Sequence, residues 1–257
     1  MVFRALIDPA ATGGVGVAFT DREGALPSAS PSDLVRESSG WLRLDSPTGV
    51  GVARWQGLGF GEVVGVDQVH GDTVVVVDER LMSGRVTELP RADALVSRLP
   101  GVGLVIRTAD CLPVALADTH AGVVGVAHAG RRGLDVGVLP RTVSVMRTLG
   151  ARRLRAWIGP GICAQCYEVD APLADAFVAR HPLARATTRW GTRALDLLGV
   201  ALGQLADAGV EVEVLPGCTR EDADLFSHRR DGAAAGRQAA IAWLVAPGGS
   251  SAEPAES

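Results

Sequence analysis

The sequence predicts an α/β fold: a single domain of mixed β-sheets flanked by helices, an α/β/β/α-like sandwich. Three observations carry this. Short Val-rich runs recur between turn residues along most of the chain. Only three stretches read as helices, and they do not alternate strictly with the strands. That pattern favours mixed sheets with helices packed outside over a wound parallel sheet. The composition is 47% hydrophobic but only 4% aromatic in 257 residues, which requires a core of Val, Leu and Ala. A chain of this length buries a core of that kind without a staple.

In chain order, strands are expected at 15–20, 62–66, 73–77, 103–106, 113–117, 123–127, 155–158, 210–215 and 240–245. Leu139, Val143, Met146 and Leu149 share one helix face, and Pro140 is tolerated in a first helical turn. A second helix runs through Leu195, Leu198, Leu202 and Leu205 and stops at Gly209. A third is expected from Pro172 to Arg180. Residues 25–59, rich in Ser, Pro and Gly, read as an irregular excursion within one catalytic domain spanning 1–245. Residues 246–257 have the composition of a disordered tail.

The formal net charge of -4, with no basic stripe, excludes a nucleic-acid surface. No apolar run reaches the roughly 18 residues of a membrane helix. The first residues, Met-Val-Phe-Arg-Ala-Leu-Ile-Asp-Pro, do not read as a signal peptide. The four cysteines are therefore expected as thiols in a reducing cytoplasm.

Three soft side chains stand where apolar, strand-like sequence meets a Gly or Pro break: His70 in Asp-Gln-Val-His-Gly-Asp, Cys111 in Thr-Ala-Asp-Cys-Leu-Pro, and His128 in Ala-His-Ala-Gly. Zinc takes neutral imidazole and thiolate, and catalytic sites use three protein ligands with the fourth position open to water. Three strand ends carrying His, Cys and His therefore suggest an open zinc site, assembled by the fold because the gaps are too long for a finger. Singly, each residue has a blander reading as a turn histidine or a core cysteine. Asp110 reads either as a carboxylate that orients a ligand or carries protons, or as a turn cap. Gln68 reads as a base-edge reader, a support for His70, or a turn residue. Cys163 and Cys166 form a lone Cys-x-x-Cys pair taken as incidental, and Cys218 is given no role. His120, His181 and His228 read as surface or turn histidines.

The motifs together are more specific. Gln-Val-His-Gly (68–71), Arg-Ala-Asp-Ala-Leu-Val-Ser (91–97), Thr-Ala-Asp-Cys-Leu-Pro-Val (108–114) and His-Ala-Gly-Arg-Arg-Gly (128–133) occur in that order. Ile-Gly-Pro-Gly-Ile (158–162), Tyr-Glu-Val (167–169), Leu-Asp-Leu (195–197) and Ser-His-Arg-Arg-Asp-Gly (227–232) follow. Over about residues 60–245 the chain resembles the YfiH family, also called the laccase-domain, polyphenol-oxidase or peptidoglycan-editing-factor family. The resemblance implies an α/β fold and a zinc held by His70, Cys111 and His128. It also implies phosphorolysis of adenosine, inosine and methylthioadenosine, with adenosine deamination beside it. Purine nucleosides and phosphate would then be the partners, with Arg22, Arg132, Arg229 and Arg230 as candidates for the anion, since guanidinium forks hold phosphate bidentately. Arg22 lies in Phe-Thr-Asp-Arg-Glu-Gly (19–24), which is similar to the family's N-terminal Thr-Arg-x-Gly motif. The catalytic set would be Asp110, Cys111 and His128. Two departures stand out: Arg131 replaces the Trp that follows His-Ala-Gly, and the family's Ser-Leu-Asn-Leu-Gly segment is not recognisable in 25–59.

Rival readings use the same residues. Two His and one Cys also suit copper, as in a laccase-like phenol oxidase. Against a multicopper cluster, the chain has five histidines and no His-x-His pair. Cys111 as nucleophile with His128 as base would make a Cys/His hydrolase acting on cell-wall precursors. A non-enzymatic accessory role in peptidoglycan editing, with a structural metal, is the third.

Overall fold

The computed structural model describes residues 3–24, 42–43, 55, 57–84 and 88–245. The tail expected at 246–257 and most of the irregular stretch expected at 25–59 lie outside the described residues. Two six-stranded sheets face each other. The first contains, in spatial order, β1 (Phe3–Ile7), β2 (Val15–Thr20), β14 (Gln238–Leu244), β7 (Val102–Thr108), β4 (Glu62–Val64) and β3 (Leu42–Arg43). The second runs β13 (Glu211–Val214), β10 (Arg155–Ile158), β8 (Leu112–Asp118), β9 (Val123–Ala129), β6 (Ala94–Ser97) and β5 (Val74–Val77). Both sheets are mixed, with β4–β7, β10–β13 and β5–β6 parallel and the other pairs antiparallel.

The central strands β7, β8, β9 and β14 are buried along their whole length. A strand covered on both faces reads as a continuous apolar run, which is why these were legible as Val-rich segments. Between the sheets pack Val17, Phe19, Val105, Val126, Trp157 and Trp243. Gly16 makes one close approach possible, because a Cβ there would fall inside the Trp243 indole. On the outer face of the second sheet lie α4 (Val138–Thr148), α5 (Ala171–Arg180) and α6 (Leu197–Asp207), with Leu139, Val143, Met146, Phe177 and Leu205 in one cluster. Pro140 is the third residue of α4, where its missing N–H costs nothing. The short α1 (Pro9–Thr12) packs against β2 of the first sheet.

Some expectations need correction. The second expected helix begins later: Leu195 ends β12 (Arg193–Leu195), which pairs with β11 (Arg185–Thr187) in a ribbon. Asp196 caps α6 by accepting from the Gly199 N–H, and the buried face is Leu197, Val200, Ala201 and Leu205. Leu198 and Leu202 are only partly buried. His70 is not at a strand end either. It sits in the connection between β4 and β5, where the chain bends.

Candidate active site

Cys111 lies in the three-residue link (109–111) by which the chain leaves β7 of one sheet and enters β8 of the other. His128 is the penultimate residue of β9, paired with Pro113 of β8. His70 reaches the same corner from the β4–β5 connection. The ligand atoms of the three all lie within 4.8 Å of one another. Cys111 Sγ and His70 Nε2 are 3.8 Å apart, and the two imidazole rings meet edge-on at 4.6 Å between centroids. A tetrahedral zinc would set such a sulfur and nitrogen about 3.6 Å apart. The fit is also steric: a Cβ on Gly130 would stand 2.8 Å from Cys111 Sγ and 3.0 Å from His70 Cδ2. Only glycine leaves that volume to the three donors.

The described residues include two non-glycine residues in the left-handed region, His70 (φ 61°) and Asp110 (φ 91°), and both flank this corner. Such backbone costs on the order of 1–3 kcal/mol and persists only where neighbours over-determine it. At His70 the determinant is Asp93, which is fully buried. Its carboxylate accepts from the backbone N–H groups of Val69 (3.2 Å), His70 (2.8 Å) and Gly71 (2.6 Å), and pairs with His128 Nδ1 at 2.8 Å. Hydrogen bonds to a charged group contribute about 1.5–3 kcal/mol each, enough to offset the strain. One carboxylate thus fixes two ligands, and engaging Nδ1 of His128 leaves Nε2 for a metal. At Asp110 the side chain accepts from Thr219 Oγ1 (2.6 Å) and from the Arg229 N–H (2.6 Å).

Electrostatics follow the same geometry. Burial would raise the Asp93 carboxyl, but His128 and the Gly71 and His70 N–H groups outweigh it and hold it below the usual range. Burial also opposes ionisation of Cys111, yet the charge of His128 and hydrogen bonds from His128 and His70 bring its thiol down to about 6. Burial would lower His128, and the Cys111 thiolate with Asp93 raises it to about 9. Both shifts run in the direction that favours the Cys111 thiolate, the anionic form that a soft cation needs.

A cleft of about 450 Å³ opens from this corner, within the range of small-molecule sites. Gln68, Asp110, Tyr167, His228 and three arginines, Arg107, Arg229 and Arg237, line it with the ligands. Gln68 donates to Arg107 O and accepts from Arg107 N, both at 2.8 Å, so its amide ties the His70 connection to β7 as a strand neighbour would. Of the four arginines expected to hold an anion, Arg229 is among the lining residues and Arg22, Arg132 and Arg230 are not. Arg22 pairs with Asp231 at 3.1 Å and stacks on Phe226. Arg132 is exposed on α3 (Arg131–Val136). The Arg230 guanidinium is engaged by Asp231 and by the carbonyls of Thr219, Arg220, Asp222 and Leu225, a clasp inside its own loop. The expectation that four arginines face one anion therefore narrows to one. His228, read as a surface or turn residue, is at the cleft.

The sequence reading missed Asp93, Arg107, Arg237 and Tyr167. Asp93 stood inside a quoted motif without a role. Tyr167 is the sole tyrosine of the chain, a signal in itself. Its hydroxyl is pushed up by burial against the pull of Arg131, the residue that stands where the resemblance expects Trp.

Comparisons with known proteins give the family and the fold. A family model described as multi-copper polyphenol oxidoreductase laccase matches residues 49–245. A Streptomyces griseus protein named purine nucleoside phosphorylase ORF3 is 42% identical over 241 residues, covering 91% of this chain and 96% of that one. A Xylella fastidiosa purine nucleoside phosphorylase is 44% identical over 185 residues, 69% of this chain and 70% of its own. Among solved structures, YlmD from Geobacillus stearothermophilus superposes with a TM-score of 0.73 at 30% identity, covering 95% of this chain and 98% of that one. The Bacillus licheniformis protein YfiH gives the same TM-score at 28% identity, covering 90% and 92%. The chain belongs to the laccase-like YfiH family, and the His70, Cys111 and His128 corner lies within the residues that the family model matches.

Proposed function

We propose that this chain is a zinc-dependent purine nucleoside phosphorylase that also deaminates adenosine, with His70, Cys111 and His128 holding the metal. The observation that carries the reading is the junction of a three-donor corner with an arginine-bearing cleft large enough for a nucleoside. When bound, zinc supplies a Lewis acid and lowers the pKa of a coordinated water. This chain's residues supply the rest. Asp93 orients His128 and the His70 turn. Arg229, which lines the cleft with Arg107 and Arg237, would hold phosphate, and Tyr167 lines the wall beside the ligands. In phosphorolysis a phosphate oxygen bonds to C1′ as the glycosidic C–N bond breaks. The electron pair leaves with the base, and the proton of hydrogen phosphate ends on it. Little covalent work falls to the protein beyond positioning and charge stabilisation. Asp110, with both carboxylate oxygens engaged, acts by fixing the Cys111 link and the Arg229 loop rather than by carrying a proton.

The donor set speaks against a multicopper cluster. Of the other three histidines, His120 lies next to Thr119 and His181 pairs with Asp135, each away from the corner, and His228 lines the cleft without joining the donor cluster, so the corner has too few imidazoles for several coppers. The test is a panel of adenosine, inosine and methylthioadenosine, incubated with zinc-loaded protein with and without phosphate. Phosphate-dependent release of free base, and inosine formed from adenosine without phosphate, are expected. Unchanged nucleosides in every arm would refute the reading.

A further inference from the structure

The cysteines that the sequence leaves without a role do not stay scattered. Cys163 and Cys166 lie in the loop that follows β10, and Cys218 and Glu221 in the loop that follows β13. Strands β10 and β13 are parallel neighbours with Ile158 opposite Val214, so both loops leave the same end of the sheet. A bridge between Gly161 and Cys218 and a hydrogen bond from Thr219 N to Gly161 O zip them together. Each loop then turns back on itself in the same way. Cys166 N donates to Cys163 O at 2.9 Å, and Glu221 N donates to Cys218 O at 3.1 Å. Two turns, each presenting donors at positions i and i+3, thus face one another.

Their donor atoms all lie within 4.8 Å of one another. Cys166 Sγ and Glu221 Oε1 are 3.4 Å apart, and Cys163 N lies 3.3 Å from Cys218 Sγ. Cys166 and Cys218 are buried, Cys163 is half-buried and Glu221 closes the outer side. None of the three thiols is in a disulfide. Paired i, i+3 ligands on two facing turns, rich in sulfur and closed by a fourth donor, are the pattern of structural zinc.

We propose that Cys163, Cys166, Cys218 and Glu221 form a second metal site, distinct from the catalytic corner, that binds a thiophilic divalent cation of the zinc class in a closed four-ligand shell. Three thiolates and a carboxylate around a divalent cation leave two surplus negative charges. Two guanidiniums answer them: Arg189 stands 3.1 Å from Cys166 Sγ and pairs with Glu221, and Arg220 donates to Cys166 O. The site acts as a clamp behind the cleft. Tyr167 follows Cys166 directly, and Thr219, which holds Asp110, follows Cys218. Securing the two turns therefore secures the wall next to Cys111.

Cobalt titration of the full-length chain, purified under reducing conditions, tests this, because thiolate-to-cobalt charge transfer reports sulfur ligands directly. Wild type should bind two cobalt ions per chain. Cys111→Ala should keep one, and its charge-transfer band must then come from the second site. The Cys163→Ser/Cys218→Ser double variant should also bind one, with the weaker band of a single thiolate. A Cys111→Ala chain that binds no cobalt would overturn the proposal. So would wild type saturating at one ion with the band of a single thiolate, a reading that needs no variant to fold. A disulfide joining two of the three cysteines in the reduced preparation would overturn it as well.

Discussion

The three-donor corner and the arginine rim of the same cleft were expected from the same sequence motifs, and they fared differently. All three soft ligands converge at the corner, whereas one of four expected arginines is at the rim. The difference is chemical. His and Cys near strand ends have few structural uses that bring them together, so their convergence is informative. Arg serves equally as an anion ligand and as a carbonyl clasp, and Arg230 shows the second use, with four backbone carbonyls on one guanidinium. A corner held by a buried carboxylate should also be brittle, and a rim whose arginines run from buried (Arg107) through half-buried (Arg237) to exposed (Arg229) should be graded.

Asp93→Ala should give the largest loss. It removes the partner of His128 and frees three backbone N–H groups at the strained His70 turn. Zinc affinity should fall about 10–100-fold, and stability by about 2–4 kcal/mol, measured by metal competition and denaturant unfolding. Asp93 affecting stability alone would break the claim that the corner is a single unit. Gly130→Ala comes next. Its methyl would press on Cys111 Sγ and His70 Cδ2, and overpacking of that kind costs about 1–3 kcal/mol. Metal release with the fold retained is the expected result.

The rim is sharpened by a pair of variants. Arg229→Ala should raise KM for phosphate about 10-fold, the worth of one charge-assisted contact, with a smaller loss of stability than Arg230→Ala, because its guanidinium holds one exposed carbonyl, Glu168 O at 2.6 Å. Arg230→Ala should do the reverse: about 1–2 kcal/mol of stability lost and KM for phosphate unchanged. Equal effects of the two on KM would mean that the clasp and the ligand roles have been wrongly divided.

The smallest effect is expected far from the cleft. Asp118 ends β8 and accepts from the N–H groups of His120, Ala121, Arg152 and Arg153. Burial would raise its carboxyl, and these four bonds outweigh it and hold it below the usual carboxylate range. A depressed carboxylate stabilises the fold above its unfolded pKa and loses that contribution as pH falls through the folded value. Asp118→Asn should therefore cost about 1–2 kcal/mol near neutrality, and the gap to wild type should close below about pH 4. Metal content should not change. A pH-independent gap would mean that the charge of Asp118 does nothing.

Legibility followed how local each signal is. The central strands were readable because burial on both faces writes an unbroken apolar run. The short β6 was passed over although every residue in it is buried, because Ala-Leu-Val-Ser has a single β-branched residue and no aromatic to mark it as a strand. The α6 face was misread by one step because Leu195 looks helical while pairing in a ribbon. Asp93 was invisible as a site residue for another reason. Its partners lie 22 to 35 positions away, and an Asp between alanines has no distinguishing neighbour in sequence. The same holds for Cys218 and Glu221, which meet Cys163 and Cys166 only because β10 and β13 are parallel neighbours.

The most direct measurement is zinc content and inosine phosphorolysis on the same samples of wild type and Cys111→Ala. The thiolate is the one anionic ligand of the corner, and its loss leaves two imidazoles. The fold should persist, since the two hydrophobic clusters do not depend on it. The variant should carry one zinc fewer per chain than wild type and lose phosphate-dependent release of hypoxanthine, with its unfolding transition still cooperative. A Cys111→Ala chain that keeps its full zinc content, or that still phosphorolyses inosine at the wild-type rate, would contradict the assignment of this corner as the active centre.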